Sequence, residues 1–149
     1  HASGRSVALA DLLLELVDPA LQSLLVAVDE AALARTGLDA QERVGHFTAA
    51  LRRLRLTEAF RVVHSAVDEA YGKPHPATYL TAAASLGVPA TDCVAFEDSV
   101  NGVIAAKAAR MRCIAVPAAE ERQLPAFGLA DLVLDSLEQV TPALLRELA

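Results

Sequence analysis

The chain has 149 residues, 54% of them hydrophobic, which suffices for one packed domain and excludes a disordered chain. Its net charge of -6 and pI near 5.1 exclude the basic stripe that a nucleic-acid groove needs. No apolar run approaches the ~18–20 residues that span a bilayer and no signal-peptide pattern is visible, so no membrane partner and a cytoplasmic location are expected.

Residues 1–6 are small and polar. From Val7 to Val17 the apolar positions crowd together and predict a mostly buried helix, ended before Asp18-Pro19. Leu24 to Val28 reads either as a buried strand ending at Asp29 or as a continued helix. Glu30 to Arg35 is helical in pattern, with a stop at Thr36-Gly37. Asp39 is an N-cap with Glu42 in the capping-box position, opening a helix that carries Val44, Phe47, Ala50, Leu51 and Leu54 on one face. Arg52, Arg53 and Arg55 lie on or near its solvated face. Phe60 to Val63 is a strand candidate, and Ser65 to Gly72 a loop.

Pro76 fits the first turn of a helix that runs to Leu86 and stops at Gly87. Cys93 to Phe96 is a strand, Ser99 an N-cap, and Val100 to Arg110 a helix. Met111 to Val116 is the next strand, Ala118 to Gly128 a loop, Leu132 to Leu134 a short strand, and Pro142 opens a terminal helix to Leu148. Cys93 and Cys113 sit inside apolar strands and read as buried free thiols. The alternation from Phe60 onward predicts an α/β fold with a doubly wound, mostly parallel sheet.

Ligands of such sheets bind at the carboxyl ends of the strands. There the apolar run 93–96 delivers two adjacent carboxylates, Glu97 and Asp98. Bare, they would repel each other; a divalent cation relieves this, and oxygen ligands suit magnesium. The plain alternative is that they cap the helix beginning near Ser99. Lys73 lies upstream in Gly72-Lys73-Pro74-His75-Pro76, where a loop lysine by itself is ordinarily just solvated.

In combination, Gly72 to Tyr79, Leu86-Gly87-Val88, Cys93 to Gly102 and Lys107 to Arg112 resemble the haloacid dehalogenase-like (HAD) superfamily. The resemblance is to the branch of β-phosphoglucomutase and 2-deoxyglucose-6-phosphate phosphatases, and it covers about residue 56 to the C-terminus. It implies a HAD-like core over 56–149, and leaves 1–55 as a divergent helical segment, a cap remnant or an altered region. It further implies that Lys73 neutralises the transferring phosphoryl group, that Asp98 ligates Mg2+, and that Glu97 is its neighbour at the metal. Lys73, Ser99 and Asn101 are the implied substrate-binding residues, with Ser99 and Asn101 orienting the acidic pair. The Lys73-Pro74 bond is a candidate cis peptide. His75 reads as a surface or supporting residue.

One departure stands out. The family nucleophile lies in an Asp-x-Asp-Gly motif at the end of the first strand, and this sequence has none. Asp29 is the nearest imitation and the candidate catalytic aspartate, although Ala31 stands where the second aspartate should be. The family's second motif, a Ser or Thr at the next strand end, is not recognisable either. The resemblance therefore implies a magnesium-dependent phosphatase-like protein for a small phosphorylated metabolite, in the first place a sugar phosphate. The alternative is a non-catalytic or truncated module that binds a partner or self-associates, because an open sheet edge would favour a homodimer. A dehalogenase of the same superfamily fits less well, since those enzymes do without the metal and its acidic pair.

Overall fold

The computed structural model describes residues 24–26, 45, 48–49, 52–53, 57, 60–64 and 69–148. Among the described residues four strands form one sheet in the order β1 (Leu24–Val26), β2 (Val94–Glu97), β3 (Arg112–Ala115), β4 (Leu132–Val133), and each of these pairings is parallel. The register sets Leu25 against Ala95, Ala95 against Cys113, and Ala115 against Val133. Of the two readings open for Leu24 to Val28, Leu24–Val26 adopts the strand and pairs with β2.

Every residue of β2 is buried, as expected for a parallel strand covered on both faces. Alternation sends Cys93, Ala95, Cys113 and Ala115 to one face. There they meet Tyr79 and Ala83 of α1 (Ala77–Leu86), Val103 and Ala106 of α2 (Val100–Ala108), and Phe127. Val94, Phe96 and Ile114 occupy the alternate positions and are also buried. A terminal helix, α3 (Pro142–Leu148), buries Leu145. The interior mixes small residues, Ala, Val and Cys, with a few large ones, Tyr79, Met111, Ile114 and Phe127.

The two central helices end with the same hydrogen bonds. At the end of α1, the Gly87 N–H donates to the Ala84 carbonyl (3.0 Å) and the Val88 N–H to Ala83 (3.1 Å). At the end of α2, the Arg110 N–H donates to Lys107 (3.0 Å) and the Met111 N–H to Ala106 (3.1 Å). Both are Schellman ends, which place one residue in the left-handed region. Gly87 (φ 73°) does so freely; Arg110 (φ 65°) does so against its Cβ. This is why α2 stops short of the expected Arg110.

One expected strand does not form. Residues 60–63 have no strand pairing and Val63 is half exposed. Two adjacent valines supply β propensity, but propensity without a neighbouring backbone or a covered face does not make a strand. The thiols of Cys93 and Cys113 are free and buried, as expected. Burial, followed by the Glu97 charge, pushes the Cys113 thiol up to about 12.

Candidate active site

The site is assembled where β2 ends and α2 begins. Ser99 is the N-cap of α2: its Oγ accepts the Gly102 N–H at 3.1 Å. The same hydroxyl donates to Glu97 Oε2 at 3.2 Å. The cap is thus supplied by Ser99 and not by either acid. Glu97 turns inward, and its side chain is wholly buried. Gly102 leaves the room for it, because a Cβ at that position would overlap the Glu97 carboxylate.

Lys73 arrives from the turn before α1. Its ammonium donates to Glu97 Oε1 at 2.5 Å, and its side chain is 14% exposed. The Lys73-Pro74 peptide bond is cis. Upstream, His64 Nε2 lies 2.7 Å from Glu69 Oε1. Hydrogen bonds from Thr81 of α1 and from His64 hold the Glu69 carboxyl below its usual range. The loop bearing Lys73 is thereby tied to the helix that follows it. Downstream, the Ala77 N–H donates to Nδ1 of the exposed His75, whose ring lies 5.0 Å from that of Tyr71.

The Tyr79 hydroxyl also donates to Glu97 Oε1, and the Lys73 ammonium stands 5.5 Å from the centre of its ring. Sequence reasoning placed Tyr79 in the matching stretch without a role. The available signal was a tyrosine at a core position of a helix, since a buried phenol hydroxyl needs a partner. Burial first, and then the Glu97 charge and hydrogen bond, push the Tyr79 phenol far up.

The structure therefore brings Lys73, Glu97 and Ser99 together and adds Tyr79. Asp98 follows at the strand end with its side chain exposed. Asn101 is exposed in the first turn of α2 and makes no hydrogen bond in this cluster. Asp29 lies outside the described residues. Among the described residues no group of three or more His, Cys, Asp or Glu side chains is gathered to hold a metal. The donors that are present fit a hard cation in kind. Asp98 offers a carboxylate to solvent, whereas Glu97, wholly buried and held by protein donors on both oxygens, offers none. Magnesium keeps several waters and needs few carboxylates.

A protein-family model described as haloacid dehalogenase-like hydrolase matches residues 9–110. Hexitol phosphatase B of Escherichia coli (strain K12) is 55% identical over 86 residues, covering 58% of this chain and 39% of that protein. Beta-phosphoglucomutase of Bacillus subtilis is 39% identical over 97 residues, covering 65% of this chain and 41% of that protein. The crystal structure of beta-phosphoglucomutase from Clostridium difficile matches with a TM-score of 0.58 at 29% identity, over 65% of this chain and 41% of that one. The chain spans 39% and 41% of the length of the two curated relatives. The structural match and the parallel sheet agree with the expected doubly wound α/β core.

Proposed function

We propose, for a chain that belongs to the haloacid dehalogenase-like hydrolase family, that its sheet edge is the phosphoryl-binding corner of a phosphatase acting on a small phosphorylated metabolite, in the first place a sugar phosphate. One observation carries the reading: the Lys73 ammonium is held at 2.5 Å by the buried Glu97 at the carboxyl end of β2, beside the exposed Asp98. Charge held in place before the reaction is the main lever in phosphoryl transfer. Lys73 neutralises the oxygens of the phosphoryl group. Glu97 fixes that ammonium, and Ser99 fixes Glu97. Asp98 holds Mg2+, which when bound supplies further positive charge against the phosphoryl oxygens. The covalent route of such enzymes needs an aspartate nucleophile. Asp29 is the candidate, following the strand that pairs with β2.

Hydrolysis of a panel of sugar phosphates, with and without magnesium, is the test. Asp98→Ala is expected to abolish turnover, and Lys73→Ala to lower it at least ~100-fold, as loss of one stabilising charge does elsewhere. Turnover untouched by Lys73→Ala sinks the reading. The missing Asp-x-Asp-Gly motif favours a second reading, a module that binds magnesium or a partner, or pairs with itself, without turnover. Calorimetric magnesium binding with no hydrolysis, and sedimentation at several concentrations, distinguish the two.

A further inference from the structure

Glu97 Oε1 receives two donors of different character, the Lys73 ammonium and the Tyr79 hydroxyl. Lysine brings a strongly hydrated charge on a flexible stem. Tyr79 is rigid by comparison: its ring is 0% exposed, it has two side-chain torsions, and it stands in the first turn of α1. The same ring lies 5.5 Å from the ammonium, within reach of a cation–π contact. Opposite, the missing Cβ of Gly102 lets α2 close over the carboxylate. Phenylalanine would fill nearly the same volume as Tyr79, so packing does not account for the hydroxyl.

We propose that Tyr79 is the positioning residue of the pair: its hydroxyl holds Glu97 Oε1 where the ammonium binds, and its ring supports the cation, so Lys73 is presented to the sheet edge in one place. This deepens the phosphoryl-binding reading and rests on that reading only for its purpose.

The chain contains two lysines, Lys73 and Lys107, and each is ion-paired, so the second is a built-in control. The native, metal-free chain is treated with limiting acetic anhydride, and both sites are quantified by peptide mass spectrometry. In Tyr79→Phe, loss of one hydrogen bond to a charged group is expected to raise acetylation of Lys73 about ten- to hundredfold, with Lys107 unchanged. A residue that merely filled the core would leave the ratio of the two lysines unaltered, and an unaltered ratio overturns the proposal. If the variant does not fold, both lysines react faster together, and the wild-type chain decides by NMR. A slowly exchanging phenolic proton from one tyrosine supports the proposal; its absence overturns it. The two readings fail separately. Absence of phosphatase activity leaves the lysine ratio to judge Tyr79, and an unaltered ratio in an active chain removes Tyr79 alone.

Discussion

Two lysine–carboxylate pairs, each spanning 24 residues of sequence, lie at opposite ends of the parallel strands and differ in burial and in their further partners. Lys107 in the last turn of α2 reaches Asp131 Oδ2 at 2.6 Å, just before β4. Its other bond goes to the Met111 carbonyl at 3.2 Å, and Asp131 Oδ2 accepts the Cys113 N–H at 2.7 Å. Those further partners are backbone groups, so this pair clips a helix end to two strands. Its side chains remain 32% and 26% exposed. The Lys73–Glu97 pair, at the carboxyl ends of the strands, is 14% and 0% exposed, and the other partners of Glu97 are the side chains of Tyr79 and Ser99. An acid held only by side-chain donors keeps its place without any backbone bond of its own. The lysine side chain beside it keeps 14% exposure at the carboxyl end of β2.

The comparison breaks most sharply if the buried lysine is removed. Lys73→Met leaves Glu97 buried with its charge partner gone, and is expected to cost about 3 kcal/mol in urea unfolding. Lys107→Met should cost under about 1 kcal/mol, as partly exposed pairs do. Equal losses would erase the distinction. Gly102→Ala comes next: the added methyl must displace the Glu97 carboxylate, and overpacking of this kind costs ~1–3 kcal/mol by thermal unfolding.

A smaller effect concerns the helix end that Lys107 clips. Arg110→Gly relieves a left-handed residue at φ 65° and is expected to stabilise by about 0.5–1 kcal/mol, whereas Gly87→Ala at φ 73° should cost about 1 kcal/mol. Paired melting curves of the two variants show whether the signs are opposite.

The smallest effect is in pH. Burial raises the Asp131 carboxyl, but its bonds from Lys107 and the Cys113 N–H outweigh this and hold it below its usual value. A carboxyl depressed in the folded chain stabilises it above the unfolded-state value of ~4, and that contribution is lost as pH falls through the folded value. Asp131→Asn should therefore cost under about 1 kcal/mol at pH 7, with the difference from wild type closing toward pH 3, as read from urea midpoints.

Much of this architecture was legible. Both ends of α1 and the start of α2 follow from Pro76, Gly87 and Ser99, whose backbone preferences act locally; the stop of α2, at the left-handed Arg110, does not. Strands β2 to β4 followed from short apolar runs between turn residues. The strand expected at 60–63 failed because pairing is a property of a neighbour, which two valines do not encode. The cluster was legible as a list: Lys73, Glu97 and Ser99, which the structure brings together, could be named from the motif context. Tyr79 was passed over, since its partner lies 18 residues away on another element.

The caps at Gly87 and Ser99 and the strands β2 to β4 were settled by the chain itself, because each depends on neighbours in sequence. Folding decided which carboxylate of the pair turns inward, which hydroxyls meet it, and which lysine pairs with a buried acid and which with an acid clipped to backbone. Lys73 and Lys107 each answer an acid 24 residues on, and only burial and the identity of the third partner tell them apart. Both are properties of packed space, since water is removed from one carboxylate and left at the other.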